Sequence, residues 1–259
     1  MQDISSAILK FNTIGLEQTN ENASLQERID TKYVLSLNTV PEILDACKEH
    51  YYIQEINGER VSKYETTYFD THDLHFYHAH HAGHANRIKI RVRQYLNTGA
   101  CYLEVKQKTN KGITKKTRAI FDKAYNSIAS SLEDDVFDVS ARLFKNELEQ
   151  KAIITYDRIT LISKLTLERV TIDCNVTFIK DSRAVLFEDF AIAEIKQANK
   201  SQSFFISLMK AQGLREGSIS KYCLGIISLY DKVKQNRFKP SLHLLNKKSL
   251  SHGNAPIFC

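Results

Sequence analysis

The stretch "RIKIRVRQY", residues 87–95, decides how the rest of the chain is read. In an extended strand successive side chains leave opposite faces. Arg87, Lys89, Arg91 and Arg93 therefore share one face, and Ile88, Ile90 and Val92 share the other. A helix would scatter the same residues around its axis, so the alternation predicts a half-buried strand. The following segment, "YLEVKQK" at 102–108, repeats the pattern, with Glu104, Lys106 and Lys108 opposite Leu103 and Val105. Between the two lies "NTGA" at 97–100, a turn signal that predicts a hairpin.

Working outward, the same alternation recurs along the chain. It aligns Arg28, Asp30 and Lys32 in "QERIDTKYV", and Lys116 with Arg118 in "TKKTRAIF". It aligns Tyr156 with Arg158 in "TYDRIT", Arg169 with Thr171 and Asp173 in "ERVTID", and Glu194 with Lys196 in "AIAEIKQ". Strands are predicted over 25–37, 63–70, 85–96, 100–108, 114–121, 152–165, 167–176 and 190–197. Helices are predicted in "TVPEILDACKEHY", whose Pro41 suits a first turn, over 139–150, in "SQSFFISLMKAQG" and in "YCLGIISLYDKVKQ". Residues 1–24 are read as a short amphipathic helix and a polar loop, 25–237 as one domain, and 238–259 as a loosely ordered tail.

A solvated outer face would explain one such strand. Seven strands sharing a mainly basic face are different, because like charges on neighbouring strands repel. An anion that neutralises them is the simpler reading. Eight strands can close into a barrel, and with the apolar faces turned outward against helices the interior becomes a wet, basic tunnel. The predicted class is α+β with flanking helices, and a closed eight-stranded antiparallel β-barrel is the arrangement that would put the basic face inside.

Composition sets looser bounds. The chain has 259 residues, a net charge of +6 and a pI near 8.9, which is compatible with an anionic partner. Its 5 cysteines are scattered without a CxxC pair, as expected for reduced thiols in a cytoplasmic protein. No secretory signal is recognisable, and no apolar run of about 18 residues predicts a membrane span. Four histidines, His78, His80, His81 and His84, crowd "HAHHAGH", but their spacing fits no zinc motif, and a polar loop is expected there. In the "TNKGITKK" hairpin, Asn110, Lys111 and Lys115 read either as a tunnel-edge contact or as a solvated turn.

The ordered set "RIDTKYV", "TTYFDT", "RIKIRVRQY", "LEVKQK", "TKKTR", "YDRIT", "ERVTID", "AIAEIK" and "SISKYCLG" resembles the VTC domain, a polyphosphate polymerase domain within the triphosphate tunnel metalloenzyme (CYTH-like) superfamily. The likeness is to a bacterial stand-alone form. It implies an eight-stranded tunnel that binds ATP, uses Mn²⁺ or Mg²⁺, and transfers the γ-phosphate to inorganic polyphosphate. Carried over by position, the resemblance makes Lys32, Arg91, Arg93, Lys106, Arg158 and Glu194 the catalytic set, with Glu194 holding the metal. Lys89, Arg118, Tyr156, Arg169, Lys196, Lys221 and His80 become substrate-binding residues. Three positions depart from the family pattern: Arg28 replaces an acid, His80 stands near an expected arginine, and Ser218 stands where lysine is common. The resemblance also implies a membrane partner that would take up the polymer.

Phosphoryl transfer needs positioning and positive charge more than covalent help, so these residue types suit the chemistry. Glu104 and Asp173 are read either as further metal ligands or as salt-bridge partners. No GxxxxGK[ST] loop occurs. Three rivals stay open: a triphosphatase, a non-catalytic polyphosphate-binding module, and a nucleic-acid binder. The last is not expected, because Trp is absent and no RNA- or DNA-binding signature is present.

Overall fold

The computed structural model describes residues 3–22, 29–110, 113–122, 127–132, 137–198 and 203–250. Helix α1 (Ile4–Ile8), strand β1 (Thr13–Ile14) and helix α2 (Leu16–Asn22) precede β2 (Ile29–Ser36). Helix α3 (Val40–Cys47) and β3 (Tyr51–Gln54) lead to β4 (Ser62–Asp70) and α4 (His75–Ala82). A meander follows: β5 (Arg87–Tyr95), β6 (Cys101–Lys108) and β7 (Thr114–Ile120). Short helices α5 (Ile128–Ser131) and α6 (Val139–Arg142) come before β8 (Glu149–Ser163), β9 (Arg169–Lys180), β10 (Arg183–Phe187) and β11 (Phe190–Gln197). Helices α7 (Phe204–Ala211), α8 (Lys221–Leu229) and α9 (Lys239–Leu250) complete the described chain.

The main sheet runs β2-β11-β9-β8-β4-β5-β6-β7, and every neighbouring pair along that path is antiparallel. These are the eight strands that alternation predicts. The expected closure is corrected: no ladder joins β7 to β2 among the described residues, so the sheet is curled but not closed by hydrogen bonds. Strand β7 is largely exposed. The curl still brings the two ends near each other, since Lys106 Nζ on β6 lies 3.7 Å from Asp30 Oδ2 on β2.

Each face of the sheet has its own partner. The convex face of β2, β8, β9 and β11 buries Leu35, Ile159, Leu161, Ile172 and Ile195 against α1, α3 and α7. On β5 and β6 the convex residues Ile90, Val92, Leu103 and Val105 pack with Phe76 of α4 and with Phe121, Phe137 and Ala141. Part of the concave face is apolar as well: Ile154, Phe178 and Ile192 pack there with Tyr222, Cys223 and Ile226 of α8. Gly225 permits this close approach, because a Cβ there would meet the Phe178 ring at 2.9 Å. Fully burying a side chain of this size contributes roughly 1.5–3 kcal/mol, so α8 is held by several such contacts.

Four local expectations are corrected. The helix predicted over 139–150 stops after α6, because Glu149 and Gln150 pair with Asp70 and Phe69 of β4. The histidine segment is a helix, α4, because its Phe76, Tyr77 and Ala79 are buried and Asp70 caps it. Residues 239–250, read as a loose tail, form α9, whose Leu242 and Leu245 join the core. Three short strands, β1, β3 and β10, escaped the reading; β1 pairs with β3, and β3 and β10 attach to β8 and β9. Arg28, Lys111 and residues 25–27 of the first predicted strand lie outside the described residues.

Candidate functional site

The concave face that α8 leaves uncovered lines a cavity of about 380 Å³. Strand pairing sets its rows. Arg91 and Arg93 on β5 stand opposite Tyr68 and Thr66 of β4, and Arg91 faces Glu104 across the β5–β6 pair. A register irregularity in β8 between Thr155 and Asp157 separates the pairing beside Ile154 from that beside Arg158. Tyr156 and Arg158 both reach the cavity lining there.

Three carboxylates organise the cations. Glu104 is 1 % exposed and accepts from Arg91 Nε at 2.7 Å and from Lys116 Nζ, with Arg93 Nη1 at 4.0 Å. Asp173, fully buried, accepts a fork of two bonds from Arg158, at 2.6 Å and 2.8 Å, and a third from Lys221 at the start of α8. Such two-pronged pairing fixes a guanidinium in orientation as well as in charge. Glu194 differs, for its carboxylate meets Lys196 at 3.6 Å and pairs through its backbone with Lys32 and Thr171.

All three acids stay ionised. Burial alone would raise the Glu104 pKa, but Arg91, Arg93 and Lys116 more than reverse it and hold it far below the usual range. Burial is likewise overridden at Asp173, which Arg158 and Lys221 bring down to about 2. At Glu194, burial is outweighed by Lys196, Lys32, Arg158 and Lys221, and the pKa again falls well below the ordinary value. Lys89 shows the opposite balance. Enclosure lowers it to about 7, helped by Lys32, Lys106 and Arg91 and opposed by Cys223.

The segment before α8 forms part of the cavity wall, with Ile219 and Ser220 in the lining. Lys32 Nζ donates to Ile219 O at 3.0 Å, and Lys89 Nζ donates to Ser220 Oγ at 2.9 Å. Ser220 Oγ also accepts from Cys223 N at 3.3 Å, capping the helix. Asp70 anchors α8 as well. Its carboxylate accepts from Phe76 N and Tyr77 N of α4, at 2.8 Å and 2.9 Å, and from the Tyr222 hydroxyl of α8. Tyr222 stacks on Tyr68, which in turn accepts from Arg91 at 3.1 Å.

The structure gathers nearly all the residues that sequence singled out. Lys32, Lys89, Arg91, Arg93, Lys106 and Arg118 line the cavity, as do Tyr156, Arg158, Arg169, Glu194, Lys196 and Lys221. His80 is not in that lining. It sits in α4, and burial beside Lys89 and Arg87 lowers its pKa to about 2, so it is neutral at physiological pH. Glu104 and Asp173 resolve as ion-pair partners of neighbouring bases. Tyr64, Tyr68, Tyr95, Tyr102 and Ser220 also line the cavity and were not singled out. The alternation Tyr64–Thr66–Tyr68 in "YETTYFD" carried that signal for two of them. The Tyr156 hydroxyl is buried without a hydrogen-bond partner among the described residues.

No group of three or more His, Cys, Asp or Glu side chains that could hold a metal is found among the described residues. One ionised, loosely engaged carboxylate fits a hard cation whose remaining ligands are phosphate oxygens and water, the usual manner for Mg²⁺. No helix among the described residues is long and apolar enough to cross a membrane.

Two solved structures share the fold. A candidate adenylate cyclase from Bacillus halodurans superposes with a TM-score of 0.50 at 12% identity, covering 80% of this chain and 98% of its own. HpAC1 from Hippeastrum, a candidate adenylyl cyclase described as having a dominant triphosphatase activity, also gives 0.50, at 15% identity over 76% of this chain and 95% of its own. A search of curated proteins finds no match in sequence. The family model for the VTC domain matches residues 27–230. The chain belongs to the VTC domain family.

Proposed function

We propose that the chain is a metal-dependent phosphotransferase that passes the terminal phosphate of ATP to a growing inorganic polyphosphate chain. The observation that carries this reading is the contrast among the three acids. Glu104 and Asp173 are committed to neighbouring bases, whereas Glu194 is ionised and only loosely engaged in a cavity lined by arginine and lysine. Arg91, Arg93 and Arg158 present planar forks suited to phosphate oxygens, and Lys32, Lys106 and Lys221 add point charges. In the transfer, the terminal oxygen of the polymer forms a bond to the γ-phosphorus as the bond to the β,γ-bridging oxygen breaks. That oxygen leaves with the electron pair on ADP. The bases hold both phosphates in line and take up the charge that develops. The Tyr156 hydroxyl, which has no hydrogen-bond partner among the described residues, would donate to a phosphate oxygen. A Mn²⁺ or Mg²⁺ ion held by Glu194 would supply additional charge neutralisation at the phosphates. Lys89, Arg118, Arg169 and Lys196 extend the grip along the chain.

The test is incubation with ATP and Mn²⁺, with the product resolved on a gel stained for polyphosphate. A ladder from the parent protein that disappears in Glu194→Gln supports the reading. Released orthophosphate without a ladder favours a triphosphatase, a reading supported by the shared fold with HpAC1. Tight binding of polyphosphate in EDTA, with neither product formed, makes the chain a binding module.

A further inference from the structure

The cavity is chemically lopsided. Beside α8 its lining is cationic: Lys89 and Lys32 there hold the backbone and hydroxyl of residues 219 and 220. Along β5 the lining then passes from Lys89 through Arg91 and Arg93 to the uncharged Tyr95, with Arg93 and Arg158 lying 5.5 Å and 5.0 Å over the neighbouring Tyr64 ring. An aromatic row takes over across four strands. Tyr156 stacks on Tyr64 at 5.2 Å with the rings 5° from parallel, Tyr64 meets Tyr95 at 4.9 Å, and Tyr95 meets Tyr102 edge-on at 5.9 Å. The Arg118 guanidinium lies 4.9 Å from the Tyr102 ring. Leu16 and Ile56 belong to the same lining, and Leu16 is 42 % exposed.

Cross-strand aromatic pairing stabilises sheets, and this accounts for Tyr64 and Tyr156, which are buried. It does not account for Tyr95 and Tyr102, which stay half-exposed on the cavity side. Aromatic faces carry negative potential, so the rings, unlike the hydroxyls, offer nothing to a bare polyphosphate. A flat, electron-poor heterocycle gains from them, and from a guanidinium already lying over one of the rings.

Resting on the phosphate-tunnel reading, we propose that the Tyr95–Tyr102–Arg118 rim is a nucleobase subsite, which seats a nucleoside triphosphate with its base outward and its phosphates running toward Lys89 and α8. The cavity would thereby fix the direction of the donor as well as its charge.

Binding in EDTA tests this without any requirement for turnover. Tripolyphosphate and ATP are each titrated against the parent protein, Tyr102→Ala, Tyr95→Ala and Tyr102→Phe. Loss of the Tyr102 ring should weaken ATP on the order of tenfold and leave tripolyphosphate affinity unchanged, while Tyr102→Phe retains both. Retained tripolyphosphate affinity also shows that each variant is folded. Equal losses for both ligands, or no loss of ATP in either alanine variant, would overturn the base subsite alone. Failure of the parent protein to hold tripolyphosphate would remove the phosphate tunnel and this inference together.

Discussion

Two walls of the cavity solve the same electrostatic problem in different ways. On the β5–β6–β7 wall, Glu104 is shared among Arg91, Arg93 and Lys116, all carried on neighbouring strands. On the opposite wall, Asp173 is gripped by Arg158 from the adjacent strand and by Lys221 from a helix that arrives 48 residues later. The first cluster is local and built by strand register. The second depends on α8 docking. Both leave the cations crowded yet ordered before any ligand arrives, which lowers the reorganisation a phosphate chain would demand. Glu194, between these walls, has no comparable grip among the described residues, and the proposed metal role rests on that difference.

The largest effect should follow from breaking the docked wall. Asp173→Asn leaves Arg158 and Lys221 enclosed without their counter-charge, and a loss of roughly 3–5 kcal/mol is expected in urea unfolding. Glu104→Gln should be milder, about 2 kcal/mol, because its cations sit on paired strands and reach more solvent; it should also tighten tripolyphosphate by removing a competing anion. Equal losses in the two variants would show that docking of α8 adds nothing. Glu194→Gln should cost less stability than Asp173→Asn, because its carboxylate meets Lys196 only at 3.6 Å, while abolishing metal-dependent turnover. A large stability loss there would make Glu194 a third structural acid.

Acid titration sharpens the same contrast. Asp173 has a folded-state pKa lowered to about 2, so its contribution is complete above the unfolded value near 4 and is lost as pH falls toward 2. Asp173→Asn should flatten that limb of the stability curve. The smallest effect concerns Lys89. With its pKa lowered to about 7, it loses its proton as pH rises above neutrality, and tripolyphosphate affinity should fall over that range. Lys89→Met should bind more weakly at pH 6 and show a smaller fall between pH 6 and 8.

The eight strands and the concave set were legible because alternation of Arg and Lys with Ile and Val survives in a single sequence. Arg91, Arg93, Arg158 and Glu194 could each be placed on the correct face from period alone. Closure was not legible, because whether β7 meets β2 depends on curl, which no local pattern encodes. His80 enters through the resemblance, as standing near an expected arginine, and the structure puts it on α4 outside the cavity lining, buried beside Lys89 and Arg87. Ser220 and the Tyr95–Tyr102 rim escaped because they carry no charge, and the face was traced by charge. The 239–250 helix was missed because Leu242 and Leu245 are sparse anchors whose value depends on a core that sequence alone does not locate.

Among the described residues no ladder joins β2 and β7, and this has a topological consequence. A ring of strands admits a polymer only end-first, whereas a curled ribbon has a seam. Here the approach across the cavity includes the side-chain contact between Lys106 and Asp30, which can part and re-form without unzipping backbone. A polyphosphate held as proposed would be enclosed on this side by a side-chain contact as well as by strand pairing.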